Sequence, residues 1–414
     1  MQRRAGTEGK VVDKIADKVT EVIEGAYRIH VHDSPTTVDA AAWNALLATQ
    51  PAPTPFMRHE YLAALHDSGS AVPETGWAPQ FITLEADGLL QGACALYLKS
   101  HSYGEYVFDW AWADAYRRHG LRYYPKLLGA LPFTPVPGTR LLAKGAAQRA
   151  LLVRAIAQLA DAGQLSSAHL LYLDETDRAA FEAAASAGWM LREGVQFHWT
   201  RDDADPAPDF TALLARMQRE KRKKIQQERR RVADAGVHFT VHEGAQIDTA
   251  LWDFFYRCYT LTYAAHHSTP YLSRDFFARM QSGMPQHWLM FVARRGPGPD
   301  DEAVAASLIG IDRERGTAWG RYWGAVEHIP CLHFEACYYQ PLAWCIANGF
   351  ARFEGGAQGE HKMARGLLPV RTVSAHRLRD ERFASAVADF LAAEGAGMVD
   401  YVSELSERNP FKDR

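Results

Sequence analysis

Only five cysteines occur in 414 residues, Cys94, Cys258, Cys331, Cys337 and Cys345, and no two of them form a CxxC pair. That scatter argues against a disulfide framework and a structural zinc, and it fits a reducing compartment. No run approaches the roughly 20 apolar residues that span a bilayer, so a membrane-spanning helix is not expected. Met1 to Lys10 is polar and charged and lacks the apolar core and cleavage site of a leader, so the expected location is the cytoplasm. A net charge of only -3 gives no whole-molecule attraction for nucleic acid or anionic membrane; any such binding must come from a local patch. No GxxxxGK(S/T) segment is present, which argues against a nucleoside triphosphatase.

What is present describes a folded chain: 47% hydrophobic and 23% charged residues, too many in total for one ordinary core. The charged, proline-containing stretch Arg201–Asp209 has the composition of a domain boundary. The reading is an N-terminal helical extension over 1–25, a first lobe over 26–203 and a second lobe over 204–414. Val11, Val12, Ile15, Val19, Val22 and Ile23 stand at helical spacing in the extension. Helices are expected at Asp39–Leu47, Tyr61–His66, Thr176–Ala187, Leu251–His266 and Arg274–Met280. Strands are expected at Tyr27–Val31, Gln80–Glu85, Gly92–Leu98, Ala168–Leu173, Val195–Thr200, His287–Ala293 and Ala303–Ile311. A tyrosine-led helix then follows in each half, Tyr123–Leu128 and Tyr338–Ala343, suggesting a diverged duplication. The class is α/β (α+β), with mixed, largely antiparallel sheets.

The stretch from Phe353 to Pro369 is the most informative. Gly355, Gly356 and Gly359 let backbone N–H groups converge on an anion, and Lys362, Arg365 and the later Arg371 add positive charge. Glu360 and His361 are the adjacent candidates for proton transfer. A solvated glycine-rich turn is the alternative. The run Arg216–Arg231 reads as a helix with Ile225 and Val232 on one face and its cations outside. Such a surface suits the phosphates of tRNA or of a lipid-linked precursor, or else it is a solvated face partly balanced by Glu220 and Glu228. Two aromatic clusters, Tyr106–Tyr116 and Trp319–Gly324, suit core packing or a cleft wall. Within and beside them Asp109, Arg321 and Tyr322 are candidate substrate-binding residues. His333 and Glu335 open a helix after Pro330, where they either face an anion or cap the helix; no PCxxC follows, so a metal reading is rejected. Cys337 and Cys345 read as small core residues.

Taken together these segments resemble the FemAB-like, or peptidoglycan biosynthesis/recognition, proteins of the GNAT acyltransferase superfamily. The resemblance rests on His101–Trp110, Tyr123–Leu127 and Phe133–Gly138 in the first half. In the second half it rests on Tyr322–Gly324, His333–Glu335 with Cys337–Tyr339, and Glu354–Lys362 with Arg365–Gly366. It implies two tandem GNAT-like lobes, and transfer of an acyl or aminoacyl group to an amine acceptor such as a peptidoglycan precursor. Fem-type relatives draw on aminoacyl-tRNA and ordinary GNAT enzymes on acyl-CoA; both stay open as donor co-substrates, with no tightly bound cofactor and no metal. The sequence has no clear Arg/Gln-x-x-Gly-x-Gly/Ala loop of the CoA-binding kind and no long coiled-coil insertion. The alternative is a non-catalytic protein that recognises a cell-wall precursor or an RNA through the same cleft.

Overall fold

The computed structural model describes residues 21–24, 26–357 and 359–412. The helix expected over 11–23 falls outside them up to residue 20, and its last positions are instead a strand, Glu21–Glu24, paired with Tyr27–His32. The chain forms two units, residues 1–194 with 372–398 and residues 195–371 with 399–414. It passes from one to the other inside strand Met190–Thr200 and returns inside strand Leu368–Leu378. A third crossing, at 398/399, lies inside helix Glu381–Glu407, and the linear division at 203/204 coincides with none of the three.

Unit 1 holds an antiparallel sheet in the order Glu21–Glu24, Tyr27–His32, Phe81–Ala86, Leu89–Cys94, Leu142–Ala143. Elsewhere in the unit, Ser167–Leu173 pairs antiparallel with Leu368–Leu378 and parallel with Lys126–Gly129, which pairs with Tyr97–Lys99. Every residue of Ser167–Leu173 is buried, as expected of a strand covered on both faces. Helix Ala146–Ala162 closes one face with Leu152, Ile156 and Leu159. Asp39 and Asp174 each accept a backbone N–H at a helix start, so a single carboxylate fixes where each helix begins.

Unit 2 orders its strands Val237–Glu243, Trp288–Arg295, Ala303–Asp312, Thr317–Ala325, Arg352–Ala357 and Met190–Thr200. All pairings are antiparallel except the one between Thr317–Ala325 and Arg352–Ala357. Helices Thr249–Ala265 and Arg274–Gly283, capped by Asp248 and Ser273, bury Trp252, Phe255, Phe276 and Phe277. Both units are thus mixed, largely antiparallel α/β lobes. Among the described residues no helix is long and apolar enough to cross a membrane.

One expected element is different. Tyr123–Leu128 is not a helix: Lys126–Gly129 is a buried strand with a partner on each side, while Tyr338–Ala343 is helical. Pro125 disfavours the helical region for Tyr124, and Leu127 and Leu128 gain burial only in the sheet. The parallel between the two halves fails at this element.

Glycine matters most at Gly324, where a Cβ would stand 2.1 Å from the carbonyl oxygen of Cys258. Helix Thr249–Ala265 approaches the strand so closely that Thr262 Oγ1 donates to the carbonyl of Trp323 at 3.1 Å. Gly324→Ala is expected to cost about 1–3 kcal/mol, read as a fall in the urea midpoint, because neither backbone can yield.

Buried histidines set the acid response. Burial pushes His169 and His198 down to about 3 from 6.5, and His376 well below it. Each is neutral when folded and protonated when unfolded, so stability is lost as pH falls from 6.5 toward 3. Glu105, Asp177 and Glu354, raised by burial to about 7, act oppositely between 7 and 4.5. The urea midpoint should therefore decline gently below pH 6.5 and steeply below about 4.5; a midpoint constant down to pH 4 would contradict this.

Candidate functional site

Strand Thr317–Ala325 of unit 2 begins beside Arg352–Ala357, in register from Thr317↔Arg352 to Trp319↔Glu354. Among the described residues that ladder ends there. Tyr322 to Ala325 continue with their other neighbour, Ala303–Asp312, after a register shift between Leu308 and Ile309 that leaves Arg321 without a position in the ladder. At the far end of the strand, from Trp323 onward, a cleft of about 420 Å³ opens. Its walls are Leu261 and Thr262 of the preceding helix, Trp323 of the strand, and His333 and Phe334 of the helix that follows.

That following helix is irregular in a useful way. Leu332–Phe334 is α-helical, Glu335–Tyr339 forms a wider π-turn, and Gln340–Ala347 resumes the α-helix. The extra residue of a π-turn re-aims side chains, and such turns recur at functional sites. Here it spreads three polar groups over different partners. Glu335 accepts from Arg229 at 3.1 Å and from Gln340 at 2.8 Å. Tyr338 OH lies 3.1 Å from His361 Nε2, and Tyr339 OH donates to Glu228.

Glu228 is the centre of the arrangement. It sits on helix Arg219–Asp234, yet only 6% of it is exposed, and Arg365, 4% exposed, donates to both its oxygens at 3.2 Å. Arg365 also lies 3.5 Å above the centre of the Phe334 ring and donates to the carbonyl of His361 at 2.7 Å. This buried pair holds the turn Glu360–Arg365 against both the basic helix and the cleft wall.

The electrostatics follow from burial. His333 is pushed down to about 4, with His361, Arg365 and Lys362 adding to the effect. His361, at the surface, is lowered for the same reasons, burial first and then Arg365 and Lys362. Lys362, buried, falls to about 8, and burial raises Glu335 despite Arg229. At neutral pH both histidines are therefore neutral, able to accept a proton.

The structure brings part of the sequence-predicted set together. His333, His361 and Arg365 meet around Phe334 and Tyr338, with the charge of Lys362 nearby, whereas Glu335 turns to Arg229 and Gln340. Gly355 and Gly356 lie in strand Arg352–Ala357, while Gly359, at φ +103°, caps the turn. Gln358 lies outside the described residues. Lys362 Nζ donates to the carbonyl of Gly356 at 3.0 Å, which turns the ammonium onto the glycine backbone. Glu360 is exposed and held by Tyr401 OH at 2.8 Å and Arg408 at 3.2 Å, away from His361's partners. Arg321 donates to Tyr322 OH at 2.9 Å, and Tyr322 packs on Tyr259 and Phe277. Asp109 belongs to unit 1, where it is buried against Lys126 and Tyr123.

Sequence reasoning does not single out Glu228, Tyr338 or Trp323 as site residues. Glu228 does carry a signal: it is an acid at the buried spacing of Ile225 and Val232 in a basic helix. Charge alone suggests a place outside, balancing the cations; the structure buries it and commits it to Arg365 and Tyr339.

Comparison with known proteins fits this architecture. The FemAB-like family, described as peptidoglycan biosynthesis/recognition, matches residues 34–413. No curated protein sequence matches the chain. FemX is similar in structure, with a TM-score of 0.53 at 11% identity over 85% of this chain and 98% of that one. L-PGS from Bacillus licheniformis gives 0.51 at 11% identity, over 85% and 97%. A conserved protein of unknown function from Bacteroides thetaiotaomicron gives 0.51 at 11%, over 84% and 99%. At such identities the likeness is one of fold. With its family pattern spanning nearly the whole chain, the protein belongs to the FemAB-like, peptidoglycan biosynthesis/recognition family.

Proposed function

We propose that this protein transfers an acyl or aminoacyl group to an amine of a peptidoglycan precursor, and that the unit 2 cleft holds the reacting groups. The observation that carries the reading is a cleft of about 420 Å³ walled by His333 and Phe334. Tyr338 and His361 stand directly behind that wall. The family supplies the cell-wall context.

An acceptor amine attacks a bound acyl ester or thioester directly, so the protein needs to position the two partners and take up one proton. His361 serves as the base. Its lowered pKa leaves it neutral at pH 7, and the Tyr338 hydroxyl at Nε2 fixes the ring. Glu360 is committed to Tyr401 and Arg408 and takes no part. Lys362 and Arg365 shape the turn from inside, so donor phosphates fall to another surface.

Helix Arg219–Asp234 offers that surface and favours a tRNA-borne donor. Arg219, Lys223, Lys224, Arg230 and Arg231 are exposed, and among the described residues none is ion-paired. Glu228 offers them no relief, being spent inside. Unscreened like charges on one helix are stabilised when a polyanion releases its counterions onto them.

Two measurements test this. Acetyl-CoA, aminoacyl-tRNA and a UDP-linked muropeptide are presented singly and in pairs, with products read by mass spectrometry. His361→Ala is expected to lower kcat by about 10²–10⁴ and to remove an acid limb lying below pH 6.5, while Glu360→Gln stays near wild type. Precursor binding without product under every pairing would favour the recognition protein. Separately, replacing Lys223, Lys224, Arg230 and Arg231 by Gln should flatten the salt dependence of tRNA binding, by roughly 0.7–0.9 in slope for each phosphate no longer neutralised. An unchanged slope would remove the helix from the donor site.

A further inference from the structure

Unit 1 carries a second concentration of charge. Strands Tyr97–Lys99 and Lys126–Gly129 pair so that Lys99 stands directly opposite Lys126. Both side chains are 0% exposed. Two like charges facing each other across a ladder repel, and taking each out of water costs several kcal/mol. A structural role alone would be better served by two apolar residues.

The hydrogen-bond partners of both ammoniums all come from one irregular segment, residues 100–109, which has no strand partner among the described residues. Lys126 Nζ donates to Ser102 Oγ and to Glu105 Oε2, each at 2.8 Å, and to Asp109. The satisfaction is uneven. Among the described residues Lys99 Nζ has a single hydrogen bond, to the carbonyl of Tyr103 at 3.3 Å, and it rests 3.5 Å from the centre of the Trp77 ring. No carboxylate is ion-paired with it among the described residues. Glu105 Oε1 is buried without a partner. An ammonium with two idle donors and a carboxylate with an idle oxygen, both fully buried, are what a site looks like when its ligand is replaced by a poorer substitute. Burial brings Lys99 down and Glu105 up, each to about 7, so this half of the cluster is the weakly held one. Asp109 also has one buried oxygen, Oδ1, without a hydrogen-bond partner among the described residues, but its Oδ2 is held by Lys126 and Tyr123 together.

The segment has two faces. Ser102, Glu105 and Asp109 point inward and are buried, whereas Tyr103, Phe108 and Trp110 are exposed by 56%, 48% and 42%. The Tyr103 and Trp110 rings meet at 5.2 Å, giving an aromatic rim outside a cationic floor.

We propose that Lys99 and Lys126 form a binding site for the carboxylate of an aromatic or cyclic organic acid, with the Glu105 carboxylate standing in for it in this structure. The ligand carboxylate bridges the two ammoniums, Glu105 swings out to water, and the ring of the acid packs against Tyr103 and Trp110. The site is independent of the transfer reading, since none of its residues belongs to unit 2.

The test uses the full chain with benzoate, the neutral isostere benzamide, and inorganic phosphate, at constant ionic strength. Calorimetry should show benzoate binding and benzamide not, with Glu105→Gln binding benzoate at least about tenfold tighter and Lys99→Met abolishing it. Hydrogen exchange should quicken at 101–109 when benzoate binds to the wild type, which localises the event to this segment. If Lys99→Met does not fold, the benzoate–benzamide contrast and the Glu105→Gln gain still decide. Equal binding of benzoate and benzamide, no gain in folded Glu105→Gln, or phosphate bound more tightly than benzoate would overturn the proposal.

Discussion

Unit 2 depends on one buried ion pair. Glu228 and Arg365 are 137 positions apart in the chain and meet where almost no water reaches to screen them. Neither could be buried alone: an uncompensated charge in such a place costs more than most single interactions return. Each therefore dictates the position of the other, and with them the elements that carry them. The basic helix, the turn bearing His361 and the cleft wall at Phe334 are held in one arrangement because Arg365 touches all three. Tyr339 adds a hydroxyl to the carboxylate and brings the π-turn into the same register.

This explains an asymmetry in how charge is used. Cations near a glycine-rich loop suggest anion binding, and Lys362 and Arg365 look interchangeable in that role. The structure spends both internally, one on a backbone carbonyl and one on a buried acid. The exposed cations lie instead on helix Arg219–Asp234, whose one buried acid is withdrawn from them. Removing Glu228 from the surface raises the local field of that helix while leaving the net charge of the chain small. In unit 1 the arithmetic is reversed: two lysines are buried, and a single irregular segment brings two carboxylates onto one of them, Lys126.

Much of this is legible in the residues, and the failures have physical causes. The hairpins, the helix Thr249–Ala265 and the basic helix follow from alternation and 3.6-residue spacing, and the structure has them within a few positions. Tyr123–Leu128 misleads because a short apolar run looks alike as helix or strand; only neighbours on both sides, distant in sequence, make it a strand. His333, His361 and Arg365 can be picked out as candidates, but not that Arg365 faces inward, since its partner Glu228 lies nowhere near it in the chain. Tyr338 reads as part of a repeat, and its link to His361 depends on a π-turn that no local pattern announces.

Glu228 and Arg365 act as one unit in placing the candidate site. The direct measurement is a double-mutant cycle of Glu228→Gln, Arg365→Met and the double variant, each followed by urea unfolding. A coupling of about 2 kcal/mol or more, with the double variant closer to wild type than the sum of the singles, is predicted. Effects that simply add, within about 0.5 kcal/mol, would contradict it.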